Sequence, residues 1–112
     1  MFDIFEMLGK LGDIKERIAE ARESLKHIVI TESDPKSLVK VRVTASMEVQ
    51  QIQLADELIA SHSRDEIEKI LTQTVSYAIT KAKLKAKEEM KNKLEGVVPD
   101  IPGFDLDSLG LG

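Results

Sequence analysis

Apolar residues recur at Ile4, Met7, Leu11, Ile14, Ile18, Ala21 and Leu25, in steps of three and four. That spacing predicts a helix with a narrow apolar seam. Gly9 and Gly12 each destabilise a helix by roughly 1 kcal/mol relative to alanine, which places its firm part from about Asp13 onward. With Ile4 at heptad position a, Lys10 and Arg17 occupy g, Lys15 and Arg22 occupy e, and Glu6, Asp13, Glu16, Glu20 and Glu23 fall at c or f. A parallel dimer through this seam would set Lys10 against Lys15 and Arg17 against Arg22; an antiparallel one would set g against g and e against e. Both arrangements repel. The seam is therefore expected to pack on the second long helix or on the sheet.

After Lys26 the period changes. HIVITE (27–32), LVKVRVT (38–44) and EVQQIQL (48–54) are β-branched or alternating, and predict three strands. The middle one alternates most clearly, with Val39, Val41 and Val43 on one face and Lys40, Arg42 and Thr44 on the other. SDPKS (33–37) is a polar loop. TASM (44–47) is short enough that the second and third strands form an antiparallel meander, since parallel pairing needs a longer crossover. Ser63 followed by Glu66 is a capping box that opens a second long helix, and no glycine or proline interrupts the chain until Gly96. Thirty residues of helix span roughly 45 Å. Its apolar stripe is Ile67, Leu71, Val75, Ala78, Ala82, Ala86 and Met90, with small central residues that permit close backbone approach. The expected architecture is α+β: an α-β-β-β-α subunit with a three-stranded antiparallel sheet, in one domain over 1–96. The Pro/Gly-rich segment 97–112 is expected to be an extended or partly disordered tail, with Val98, Ile101, Phe104 and Leu106 available to lie across a groove.

Composition narrows the function classes more by exclusion than by motif. The chain has 112 residues, no cysteine and two histidines, His27 and His62, so it offers no disulfide framework, thiolate nucleophile or zinc set. No GxGxxG, phosphate-binding loop or nucleophile elbow occurs, and the carboxylates lie on periodic helical surfaces. Neither a catalytic residue nor a metal ligand, cofactor or small-molecule substrate is expected, so the chain is not read as an enzyme. Asp3 and Glu6 stand where a secretory signal would be basic, and no apolar run approaches the ~18 residues of a membrane span. A soluble, unprocessed, cytoplasmic chain with no membrane partner is the expectation.

The run KAKLKAKEEMKNK (81–93) raises the question of an anion partner in a chain whose formal charge is −4. Helical spacing assigns Lys85 to Glu88 or Glu89, Lys91 to Glu88 or Glu95, and Lys93 to Glu89. Lys81, Lys83 and Lys87 have no carboxylate at that spacing, and at about 100° per residue Lys83 and Lys87 share one edge of the stripe while Lys81 is on the other. On the first helix the same count assigns Glu6 to Lys10 and Asp13 to Arg17, leaving Lys15, Arg22 and Lys26. Charge runs on long helices are commonly solvated faces. Aromatic residues for stacking single-stranded bases are few, so duplex backbone contact is the expected form of any nucleic-acid binding.

Taken in order, the MF start, "LVKVRVTASMEVQQIQLADELI" (38–59), "YAITKAKLKAKEEM" (77–90) and "PDIPGF" (99–104) resemble the YbaB/EbfC family of nucleoid-associated proteins across nearly the whole chain. The resemblance implies a bacterial, nucleoid-located homodimer that binds duplex DNA with little sequence preference. Two departures stand out. Thr44-Ala45 replaces the Asn-Gly that members commonly carry, so the hairpin turn is expected to be wider and to use Ser46 and Met47. Gln50 and Gln51 stand where members often have basic residues. The expected contacts come from the charge count: Lys15, Arg22 and Lys26 on the first helix, Lys81, Lys83 and Lys87 on the second, and Lys40 and Arg42 as weaker candidates on the sheet. The rival expectation is a protein-interaction module whose seam or tail docks a protein partner, for which the acidic balance speaks.

Overall fold

The computed structural model describes residues 4–95. In chain order the elements are helix α1 (Ile4–Leu25), strands β1 (Val29–Ser33), β2 (Val39–Thr44) and β3 (Val49–Leu54), a short helix α2 (Asp56–Ser61), and the long helix α3 (Arg64–Leu94). The expected tail, 97–112, lies outside the described residues. The strands form one antiparallel sheet in the order β1-β2-β3, as the short connections require. The α+β layout agrees with expectation, and α2 is an addition to it. Asp56 and Glu57 in its first turn favour the exposed N–H groups there, and Leu58 is its fully buried anchor.

Two turns fix the sheet. Asp34 organises the β1–β2 loop by accepting hydrogen bonds from the backbone N–H groups of Val39 at 2.7 Å and Lys36 at 3.2 Å. Burial pushes its carboxyl upward, but these bonds, with others from the Leu38 and Asp34 N–H groups, outweigh that and hold it below the ordinary carboxylate value. At the β2–β3 end, Thr44 N–H donates to the Glu48 carbonyl at 2.9 Å and Met47 N–H donates to the Thr44 carbonyl at 3.0 Å. The three-residue loop Ala45–Ser46–Met47 ends in a left-handed residue, Met47 at φ 72°. The wider turn expected from Thr44-Ala45 is therefore the one formed.

A register shift beside it decides which side chains β3 presents. Arg42 pairs with Gln51 but Val43 pairs with Val49, so Gln50 is an extra residue in the ladder. Without that bulge Val49 would point away from Ile52 and Leu54; with it, all three share the face of Val39, Val41 and Val43. The β2 residues are buried by α3, which crosses β1 and β2. Their β3 partners Val49, Ile52 and Leu54 remain 41, 44 and 39% exposed.

Ser63 caps α3, its Oγ accepting from Glu66 N–H at 3.2 Å while donating to the Glu66 carboxylate at 3.0 Å. The helix serves two core clusters. One joins Leu38, Val39, Val41, Val43 and Leu58 to Ala78 and Ala82; the other joins Ala21, Leu25 and Ala45 to Ala86, Met90 and Leu94. Alanines at both contacts let the α3 backbone come close, so side-chain volume on the facing elements fills the core. Truncating a fully buried residue such as Leu58 or Met90 to alanine removes about 2–5 kcal/mol. α1 remains helical back to Ile4, beyond the start expected at Asp13. Neither Gly9 nor Gly12 has an atom within 4 Å of where a Cβ would stand, so no packing demands a glycine there.

Candidate nucleic-acid interface

α1 runs into β1 at the same end of the sheet from which α3 departs. Ala45 N–H donates to the Ile28 carbonyl at 2.9 Å, tying the start of β1 to the β2–β3 turn, and Ala45 and Met47 pack in the cluster of Ala86, Met90 and Leu94. The two helices are therefore antiparallel, joined through their C-terminal halves. Each has a flank formed by the residue after every buried position and a flank formed by the residue before it. One residue is a rotation of about 100°, and in an antiparallel pair matching flanks lie on the same side.

The flank after the stripe carries Lys15, Arg22 and Lys26 next to Ile14, Ala21 and Leu25 on α1, and Lys83, Lys87 and Lys91 next to Ala82, Ala86 and Met90 on α3. All six are exposed, and the single acid in this series is Glu95, one residue past the end of α3. The preceding flank has both signs. On α1 it reads Glu6, Lys10, Asp13, Arg17 and Glu20, and on α3 Lys81, Lys85, Glu89 and Lys93. There Lys85 meets Glu89 at 3.4 Å, and Lys81 lies 5.4 Å above the ring of Tyr77, half-buried.

The structure thus sorts the expected residues. Lys15, Arg22, Lys83 and Lys87 share one flank, and Lys81 is set apart on the other. Lys26 joins the first group but is not the unpaired cation expected from the count, because Glu23 lies one turn before it and binds it at 2.9 Å. That hydrogen bond, and then the charge of Lys26, hold the Glu23 carboxyl below its ordinary value. Lys91 and Lys93, expected to be neutralised, make no ion pair among the described residues, nor do Lys10 and Arg17. Lys91 is the contact candidate that spacing alone missed. Lys40 and Arg42 lie on the sheet face opposite α3, among Thr31, Ser33, Gln51 and Gln53. They form a separate, weaker patch.

At the far end of α3 a cleft of about 710 Å³ is lined by Asp34, Lys36, His62, Glu66, Lys69 and Tyr77, among others. His62 caps α2 with its backbone N–H on the Leu58 carbonyl, and its Nδ1 is buried without a hydrogen-bond partner. His27 is exposed in the turn before β1, which begins at Val29 rather than at 27. Among the described residues no three His, Asp or Glu side chains gather as metal ligands, and no helix is long and apolar enough to cross a membrane.

Residues 1–97 match the YbaB/EbfC DNA-binding family. A nucleoid-associated protein of Flavobacterium johnsoniae is 29% identical over 103 residues, covering 92% of this chain and 95% of that one. One from Afipia carboxidovorans is 27% identical over the full length of both chains. The fold is similar to that of an uncharacterized Helicobacter pylori protein, with a TM-score of 0.71, 18% identity, and coverage of 84% of this chain and 99% of that one.

Proposed function

Since the chain belongs to the YbaB/EbfC DNA-binding family, which is not an enzyme family, we propose that it is a nucleoid-associated protein that binds duplex DNA as a homodimer. It acts in the bacterial cytoplasm, through phosphate contacts with little sequence preference. Residues 1–96 act as one domain. The supporting observation is the one-signed flank: Lys15, Arg22, Lys26, Lys83, Lys87 and Lys91 border the buried stripes of two antiparallel helices, where the opposite flank carries both signs. Extended, donor-rich cations with no aromatic between them suit a row of phosphates and read no base edge. Lys40 and Arg42 supply a secondary contact.

Homodimer formation is supported by β3. Val49, Ile52 and Leu54 extend the core face beyond the reach of α3, and the strand carries no charge to discourage a neighbour along its open edge. A second copy covering this row would complete the hydrophobic layer and present the cationic flank twice. The test is a salt titration of duplex binding. Each phosphate contact releases counterions, so the logarithm of affinity falls with the logarithm of salt with a slope of about 0.9 per contact. An affinity unchanged between low and moderate salt would overturn the phosphate mechanism.

A further inference from the structure

The cleft between the β1–β2 loop and α3 lies at the other end of that helix from Lys87 and Lys91, and its chemistry differs from theirs. Its volume of about 710 Å³ falls within the roughly 300–1,000 Å³ of small-molecule sites. Leu38, Ile70 and Pro35 give it an apolar wall, and Leu38 also belongs to the sheet core, which holds that wall in place. Tyr77 stands at one side. Lys81 covers one face of its ring at 5.4 Å, and the residue remains 47% exposed.

Four charged side chains line the cleft, Asp34 and Glu66 against Lys36 and Lys69, so their formal charges cancel. The two signs are not equally available. Both Asp34 oxygens accept backbone N–H groups, from Val39 and Lys36, and the Glu66 carboxylate accepts the Ser63 hydroxyl. Lys36 and Lys69 make no ion pair among the described residues, and the side chains of Gln73 and Tyr77 make no hydrogen bond there. His62 also lines the cleft, and its Nδ1 is buried without a partner, an arrangement that is costly while it lasts. What the cleft offers a ligand is therefore mainly donors beside an apolar wall. A hydrogen bond to an ionised group is roughly twice as strong as a neutral one, so an acid group is what two ammoniums hold best. A polyanion would also meet Asp34 and Glu66, whereas one carboxylate is outweighed by the two cations. The apolar wall and the Tyr77 ring suit a flat hydrocarbon body packed offset or edge-on.

We propose that this cleft binds a small aromatic monocarboxylate. The ring lies between Tyr77 and the wall of Leu38, Pro35 and Ile70, and the carboxylate is held by Lys36 from the loop and Lys69 from the helix. Gln73 adds a hydrogen bond, and rotation of the His62 imidazole into the occupied cleft gives Nδ1 the partner it lacks. The binding stands apart from the DNA reading, and its test contains no DNA.

Indole-3-acetate is the probe, titrated into the 15N-labelled full-length protein. The amide signals of Lys36, Leu38, Ile70 and Gln73 should move along one saturable curve with a Kd of about 0.1–1 mM. The ring signals of Tyr77, the only tyrosine, should move with them, while the amides of Ala21 and Lys87 stay in place. Indole-3-ethanol keeps the ring and carries a hydroxyl for the carboxylate; it should bind about 10-fold more weakly, as should the acid to the double variant Lys36→Gln, Lys69→Gln. Both lysines are exposed, so that variant should keep the parent's thermal midpoint. The same loss of charge elsewhere, Lys10→Gln with Lys93→Gln, should leave the curve unchanged. No saturable shift, shifts spread over the lysines of α1 and α3, equal affinity for acid and alcohol, or an affinity untouched by the Lys36 and Lys69 changes each overturns the proposal. So does movement of the cleft signals on dilution without the acid, since a second copy would then occupy the cleft.

Discussion

The two flanks of the α1–α3 pair are both rich in charged residues, but one is mixed in sign and the other almost entirely cationic. Before the buried stripe both signs are present, and Lys85 pairs with Glu89 there. After it stand six cations and, at the very end, Glu95. Net charge does not reveal this: the formal charge is −4, yet three of the acids behind it are Asp100, Asp105 and Asp107, beyond the described residues. Register relative to the core, and not the count of lysines, determines which field a helix pair projects.

The strongest way to break the comparison is to remove the proposed second copy. Ile52→Lys places a charge in the exposed β3 row and should convert the dimer to a monomer in sedimentation, with duplex affinity falling on the order of 100-fold as the second flank is lost. A variant that stays dimeric would show that the pairing surface lies elsewhere. Next in size is charge reversal. The pair Lys83→Glu and Lys87→Glu should weaken binding to all duplexes alike, by about 30-fold, and reduce the salt slope, whereas Lys81→Glu with Lys85→Glu should change affinity by less than about 3-fold. Equal losses from the two pairs would erase the distinction between flanks.

Stability should separate cleanly from this field. Asp34 lies at the opposite end of the molecule, and Asp34→Ala should reduce unfolding free energy by about 1–2 kcal/mol at neutral pH, with duplex affinity unchanged while the protein is folded. Its folded carboxyl value lies below the ordinary 3.8, so its stabilisation is complete above that value and is lost as pH falls through the lower folded one. The variant should accordingly lack that part of the acid limb in a pH series of urea midpoints. The smallest expected effect is at Lys26. Glu23→Gln removes its ion-pair partner and should strengthen duplex binding by less than about 2-fold, measured at low salt where exposed charges are least screened.

Much of the fold was legible because its periods are clean. The valines of β2 and the capping box at Ser63 each specify their element locally, and each is realised. α2 escaped because six residues are too few to display a helical period, although Asp56-Glu57 ahead of Leu58 was a usable signal. The exposed row on β3 was not legible either, since Val49 and Ile52 share a face only through the bulge at Gln50. Among the candidate cations, the separation of Lys81 from Lys83 and Lys87 follows from helical rotation alone. The grouping of α3 lysines with Lys15 and Arg22 does not, because it depends on two helices, distant in sequence, packing antiparallel. Lys26 was misread through an acid one turn earlier in the same helix, at a spacing that sequence does display.

An unaccompanied copy of this chain has a further difficulty, rooted in β3. Six consecutive residues with no charge and no proline border an open ladder, so nothing in the strand distinguishes the proper mate from any other extended segment. An orphan subunit would be a template for linear stacking. In the proposed homodimer, prompt pairing after synthesis would protect solubility, and a strain that makes a pairing-defective version should accumulate it as aggregate or lose it to proteolysis.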